Sequence, residues 1–110
     1  MPRWRWGHVR KGRGRPLGEL FLHSLPEVRE FIPRPCLNPE PIELTYPEYN
    51  VIVLMDIEKL SQEEAAEKMG TSRGTIWRLY QNAREKIARA LKESRPLIII
   101  PKGEVTPYSP

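Results

Sequence analysis

Long hydrophobic runs are missing from this 110-residue chain. The two longest, Val51 to Met55 and Leu97 to Ile100, fall far short of the roughly 20 apolar residues that a membrane-spanning helix requires. The opening stretch MPRWRWGHVRKGRGR has no apolar core that would serve as a signal peptide. Cysteine is reduced to Cys36 alone, which excludes an internal disulfide. His8 and His23 do not supply the paired spacing of a zinc site. No glycine-rich phosphate loop and no nucleophile with a matching base stand out. A chain of this length holds one domain with little core to spare for a catalytic cavity. These absences lead to the expectation of a cytoplasmic, nucleoid-associated protein with no membrane segment, metal or cofactor, and no enzymatic activity.

Acidic residues are absent from the first 16 positions, which carry Arg3, Arg5, Arg10, Lys11, Arg13 and Arg15, a charge of +6. Residues 17–72 sum to −7, residues 73–95 to +5, and residues 96–110 balance, within a net charge of +4. Two basic blocks flanking an acidic one are the electrostatic footprint of a phosphate-binding protein.

Residues 1–16 mix Arg, Gly, Pro and Trp with neither helical nor strand period, and are expected to be a disordered basic arm. Residues 17–44 form a proline-rich extended segment, in which Glu27 to Ile32 alternates well enough for one short strand. Thr45 and Glu48 have the spacing of a capping box, so a helix starts there and runs to about Glu58. Ser61 and Glu64 form a second box, opening a short helix from Gln62 to Met69 that Gly70 terminates. Ser72 then caps a long amphipathic helix, with Ile76, Leu79, Tyr80, Ala83, Ile87, Ala90 and Leu91 recurring at intervals of three and four. The remainder, 95–110, reads as a strand, Leu97 to Ile100, and a tail. That strand needs a partner, either Glu27 to Ile32 or its equivalent in a second copy.

A short helix, a glycine turn and a longer helix make the helix-turn-helix pattern. Ala66 is small enough for the helices to cross, Gly70 accepts positive φ, and Met69, Ile76 and Leu79 fill the wedge. The segment TYPEYNVIVLMDIEKLSQEEAAEKMGTSRGTIWRLYQNAREKIARAL resembles the helix-turn-helix of a widespread uncharacterised family of small prokaryotic predicted DNA-binding proteins. That family is itself similar to region 4 of the sigma-70 type initiation factors. The resemblance runs through Glu48-Tyr49, Leu54 with Asp56, Gln62 to Glu64, Ala66-Glu67, Met69, Arg73, Thr75, Tyr80, Ala83-Arg84 and Lys86, and the family also tends to begin with Met-Pro-Arg. It implies DNA binding and a role as a transcriptional regulator, without a target sequence.

The expected fold is therefore mainly α: a helix-turn-helix domain over 45–94, with a short β element from the N-terminal arm and the C-terminal strand. In such a fold the second helix lies in the major groove of double-stranded DNA. Positions outside its core set are Ser72, Arg73, Gly74, Thr75, Trp77, Arg78 and Gln81, the expected base-reading face. Arginine forks match guanine edges, and glutamine matches adenine. Gln62, Arg84 and Lys86 are assigned to the DNA backbone, and the basic arm to the minor groove or to exposed bases. A homodimer and RNA polymerase are further expected partners. Two other readings stand beside this one: an RNA-binding protein that stacks bases on Trp4 and Trp6, and a protein adaptor docking through Trp77 and Tyr80.

Overall fold

A computed structural model describes residues 3–7 and 19–108. The elements run β1 (Arg3–Gly7), β2 (Leu20–Leu22), β3 (Glu30–Phe31), β4 (Ile42–Thr45), α1 (Tyr46–Ile52), a π-helical continuation (Val53–Ile57), α2 (Gln62–Met69), α3 (Arg73–Glu93), β5 (Leu97–Ile100) and β6 (Glu104–Tyr108). Helices take 43% of the described residues and strands 24%, the latter in two three-stranded sheets, so the fold is α/β rather than mainly α. The correction has a physical origin. Each sheet is assembled from segments far apart in the chain, and two to five residues of alternation carry too little periodic signal to announce a strand on their own.

The first sheet has the order β2-β1-β6, antiparallel throughout, with Trp4 opposite Leu22 on one side and Pro107 on the other. Residues 3–7 are therefore ordered, which corrects the expectation of a disordered arm for that part of 1–16. Strand alternation explains why. Trp6 points inward, is 6% exposed, and its indole Nε1 donates to the Pro101 carbonyl at 2.7 Å. Trp4 packs on the same core, while Arg3 and Arg5 take the opposite face. The two tryptophans are accounted for by burial rather than by base stacking. Arg10, Lys11, Arg13 and Arg15 lie outside the described residues.

The second sheet has the order β3-β5-β4, antiparallel between β3 and β5 and parallel between β4 and β5. Glu30–Phe31, inside the expected Glu27 to Ile32 segment, is thus one partner of Leu97–Ile100. The parallel partner Ile42–Thr45 is an addition. With both edges of β5 occupied, nothing is left on that strand for a second copy to pair with.

Both capping boxes form. Thr45 Oγ1 accepts from Glu48 N at 3.3 Å while Glu48 Oε1 accepts from Thr45 N at 2.9 Å, and Ser61 and Glu64 make the same exchange at 3.0 and 2.8 Å. Gly70 ends α2 in the left-handed region at φ 63°, and a Cβ there would lie 3.0 Å from the Phe21 ring, so the first sheet abuts the turn into α3. Two apolar clusters result. One gathers Trp6, Leu20, Leu22, Val51, Leu54, Ala65, Ala66, Met69 and Ile76; the other gathers Ile42, Leu44, Ala83, Ala90, Leu97 and Ile99. Helix α3 belongs to both and is the spine that joins them. Leu91, grouped by spacing with the core positions, is instead 79% exposed.

Asn50, at 1% exposure, ties the exit of β2 to α1: its Oδ1 accepts from the His23 and Ser24 amides at 2.8 and 3.1 Å, and its Nδ2 donates to the Ser24 and Tyr46 carbonyls at 3.0 and 2.9 Å. No sequence signal marked it, because the partners it ties to α1, Ser24 and His23, lie 26 and 27 positions away. No helix is long and apolar enough to cross a membrane among the described residues.

Candidate functional site

Helix α3 buries Ile76, Ala83 and Ala90 along one side. Over its first turns the opposite side is left to solvent, and Arg73, Gly74, Trp77, Arg78 and Gln81 are all exposed there. Ser72 caps the helix, its Oγ accepting from Thr75 N at 3.1 Å and donating to Thr75 Oγ1 at 3.0 Å. Arg78 Nη2 also donates to Thr75 Oγ1, at 3.4 Å. Thr75 is half-buried, so it acts as a shelf for Arg78 more than as an outward contact.

Arg73 pairs with Glu63 at 3.6 Å, with both side chains more than 60% exposed. Such a pair contributes about 0–1 kcal/mol and gives way readily to a stronger anion. Trp77 is 47% exposed, with its ring 6.3 Å from that of Tyr80. Tyr80 donates its hydroxyl to Asp56 Oδ1 at 2.7 Å, which raises the phenol above its ordinary range and fastens α3 to the end of the π-helical segment. Arg84 lies over the Tyr80 ring at 5.1 Å, exposed and oriented by it.

Gly74 sits in the first turn of α3, and a Cβ added there would meet only Ser72 Oγ, at 3.9 Å. The fold has room for a side chain at this position, so packing does not demand the glycine.

The three residues assigned to the DNA backbone separate. Arg84 pairs with no carboxylate among the described residues. Gln62 is engaged within the helix pair, its Nε2 donating to the Arg73 carbonyl at 2.9 Å, and it holds α2 against the start of α3. Lys86 turns away from the exposed face: its Nζ bonds Glu48 Oε1 at 2.8 Å, and Glu48 is 3% exposed. The ammonium assigned to phosphate is thus engaged in neutralising a buried carboxylate. Its charge and its place on a basic helix suggested phosphate; Glu48, 38 positions earlier, was visible only as half of a capping box.

Arg3 and Arg5 lie on the outer face of the first sheet. Arg3 stacks over Phe21 at 4.4 Å and Tyr108 at 5.1 Å, and Arg5 over Tyr108 at 5.5 Å. Among the described residues no group of three His, Cys, Asp or Glu side chains is placed to hold a metal ion. His23 Nε2 bonds the Lys68 carbonyl at 2.8 Å, and Cys36 is exposed.

Fold and site together define a small α/β protein built on a capped helix pair, with arginines, a glycine and a tryptophan exposed at the start of its long helix. The chain belongs to the family described as "Protein of unknown function DUF134", whose model matches residues 5–107. It is 45% identical over 106 residues to a UPF0251 protein of Pyrococcus furiosus, covering 94% of this chain and 92% of that one. It is 41% identical over 105 residues to a UPF0251 protein of Archaeoglobus fulgidus, covering 96% and 97%. A bacterial relative, the UPF0251 protein of Halothermothrix orenii, is 44% identical over 85 residues, or 76% of this chain and 63% of that one. No solved structure matches the chain.

Proposed function

We propose that this protein binds double-stranded DNA in a sequence-dependent manner, with α2 and α3 acting as a helix-turn-helix of the sigma region 4 type, and that it serves as a transcriptional regulator. The observation that carries the reading is the exposed face at the start of α3. Arg73, held by an exposed pair with Glu63, Arg78, held at one nitrogen by Thr75, and Gln81 turn hydrogen-bonding groups to solvent, Trp77 offers an apolar surface, and Gly74 removes a side chain that the fold itself would accommodate. Arginine forks and an apolar contact are what guanine edges and thymine methyls accept in the major groove. A glycine facing outward lets the backbone approach a rigid surface. The left-handed Gly70 and the small Ala66 in the helix crossing support the same geometry. Arg84, and Arg3 and Arg5 on the neighbouring sheet, add positive charge beside this face for phosphates.

The test is selection of bound sequences from random duplex DNA, followed by fluorescence anisotropy at fixed salt. A recovered motif, bound at least about tenfold more weakly after Arg73→Glu with Arg78→Glu, supports the reading. Unchanged affinity in that variant would move the contact elsewhere. Of the basic Trp/Arg arm on which the RNA reading rests, Trp6 lies in the core and Trp4 packs against it, while Arg10, Lys11, Arg13 and Arg15 lie outside the described residues.

A further inference from the structure

Exposed large apolar side chains gather at the end of α3 remote from its N-terminus. A groove of about 580 Å³ opens there between Ile87, Ala90 and Leu91 of the helix and the Phe31–Pro35 segment that leaves the edge strand β3. Leu91 is 79% exposed, Phe31 and Ile32 are each 60% exposed, and Leu37, on the loop hydrogen-bonded to Ser94 through Asn38, is 76% exposed. We propose that this groove is the two-fold interface of a homodimer, with Leu91 of each copy seated between Phe31 and Ile32 of the other.

Three observations select a second copy of this chain as the occupant. The first is area. With side chains of about 150–200 Å² each, those four residues expose about 500 Å², the size of a functional patch. Adding the groove floor approaches the roughly 800 Å² per partner of a stable interface. The second is charge. Beside Phe31, Pro33 and Leu91 in sequence, Glu30, Arg34 and Lys92 are exposed and form no ion pair within 4.0 Å among the described residues. A rim carrying unsatisfied charges of both signs is self-complementary, because a two-fold axis can set the acids of one copy against the bases of the other.

The third is spacing, and this one rests on the proposed DNA reading. Trp77 and Leu91 are 14 residues apart on one helix, about 21 Å at 1.5 Å per residue. A two-fold axis at Leu91 therefore places the two Trp77 side chains up to about 42 Å apart. Inclining the helices brings that down to the one-turn separation of about 34 Å between half-sites on DNA. An axis near the start of α3 would instead bury the exposed face that the DNA reading needs.

Sedimentation equilibrium of the full chain, without DNA, is the test. The wild type is expected at twice 12.8 kDa, and Trp77→Ala should stay there. Leu91→Glu should raise the dimer dissociation constant at least about thirtyfold, as for a residue central to an interface, and should lose the concentration dependence of the melt that a dimer confers, while matching wild type at concentrations where both are monomeric, because Leu91 contributes little to the core. In a Cys36→Ser background, Leu91→Cys should be joined into a covalent dimer by a short bifunctional maleimide. A wild type at 12.8 kDa at every concentration, or a dimer that Leu91→Glu leaves intact, overturns the proposal. Because the mass is read without DNA, a monomer removes the interface and leaves the DNA reading standing. A dimer with no affinity for duplex does the reverse.

Discussion

Replacing Lys86 with methionine separates a structural cation from a DNA-contacting one. Glu48 is 3% exposed, and among the described residues its Oε1 accepts from Thr45 N and Lys86 Nζ. Removing the partner of a fully buried carboxylate costs about 3–5 kcal/mol, because the stranded charge has lost its solvation as well. Here the Lys86 side chain is 31% exposed, so water reaches part of the vacated space and about 2 kcal/mol is the expected loss. For a domain of this size that lowers the midpoint by about 10 °C. Urea denaturation followed by circular dichroism gives the difference if the slope is unchanged. The double variant Glu48→Gln with Lys86→Met should recover more than half of the loss, since a neutral amide oxygen still accepts from Thr45 N and no charge is stranded. The salt dependence of duplex affinity should not change, whereas loss of a phosphate contact would reduce its slope by about 0.9. A Lys86→Met protein within about 0.5 kcal/mol of wild type in stability, but with a shallower salt slope, would refute the structural role and return Lys86 to the DNA backbone.

Gly74→Ala should stabilise the free protein by up to about 0.5 kcal/mol, because alanine restricts the unfolded chain and favours the helix, while weakening duplex binding at least about tenfold. A melt combined with anisotropy checks both, and unchanged affinity would remove the clearance role. Trp77→Ala should shift stability by less than about 1 kcal/mol and weaken specific binding more than non-specific binding; equal losses would make the tryptophan a packing residue. Glu64 is held below its ordinary value of 4.5, first by the Ser61 amide and then by its hydroxyl. A carboxylate depressed in the folded state contributes stability above that value, and the contribution fades as pH falls through the lower folded value. The stability gap between wild type and Ser61→Ala should therefore narrow on acidification below pH 4.5, and NMR titration should show the Glu64 midpoint rising in the variant.

The helices were legible because their signals are local. Thr45 with Glu48, and Ser61 with Glu64, each lie within one turn, and Gly70 and Ser72 mark the gap between α2 and α3. The strands were not, because what makes Trp4 and Trp6 a strand is a ladder to residues 104–108, about a hundred positions away, and Pro107 disguises that partner. A separation of 38 positions likewise hid the Glu48–Lys86 pair, which the packing of α3 on α1 brings together. Leu91 shows the opposite failure: it keeps helical spacing with the core, but α3 outruns the structure that could cover it.

The pairing of β1 with β6 has a consequence for how the molecule is made. Residues 3–7 are synthesised about a hundred residues before their edge neighbour, residues 104–108, so the first sheet closes only once that last strand is available. Until then β1 is covered on one edge alone, by β2, and its other edge is an unpaired strand edge on a nascent chain, the kind of surface that chaperones guard. A chain that lacks residues 104–108 leaves β1 with one neighbour instead of two.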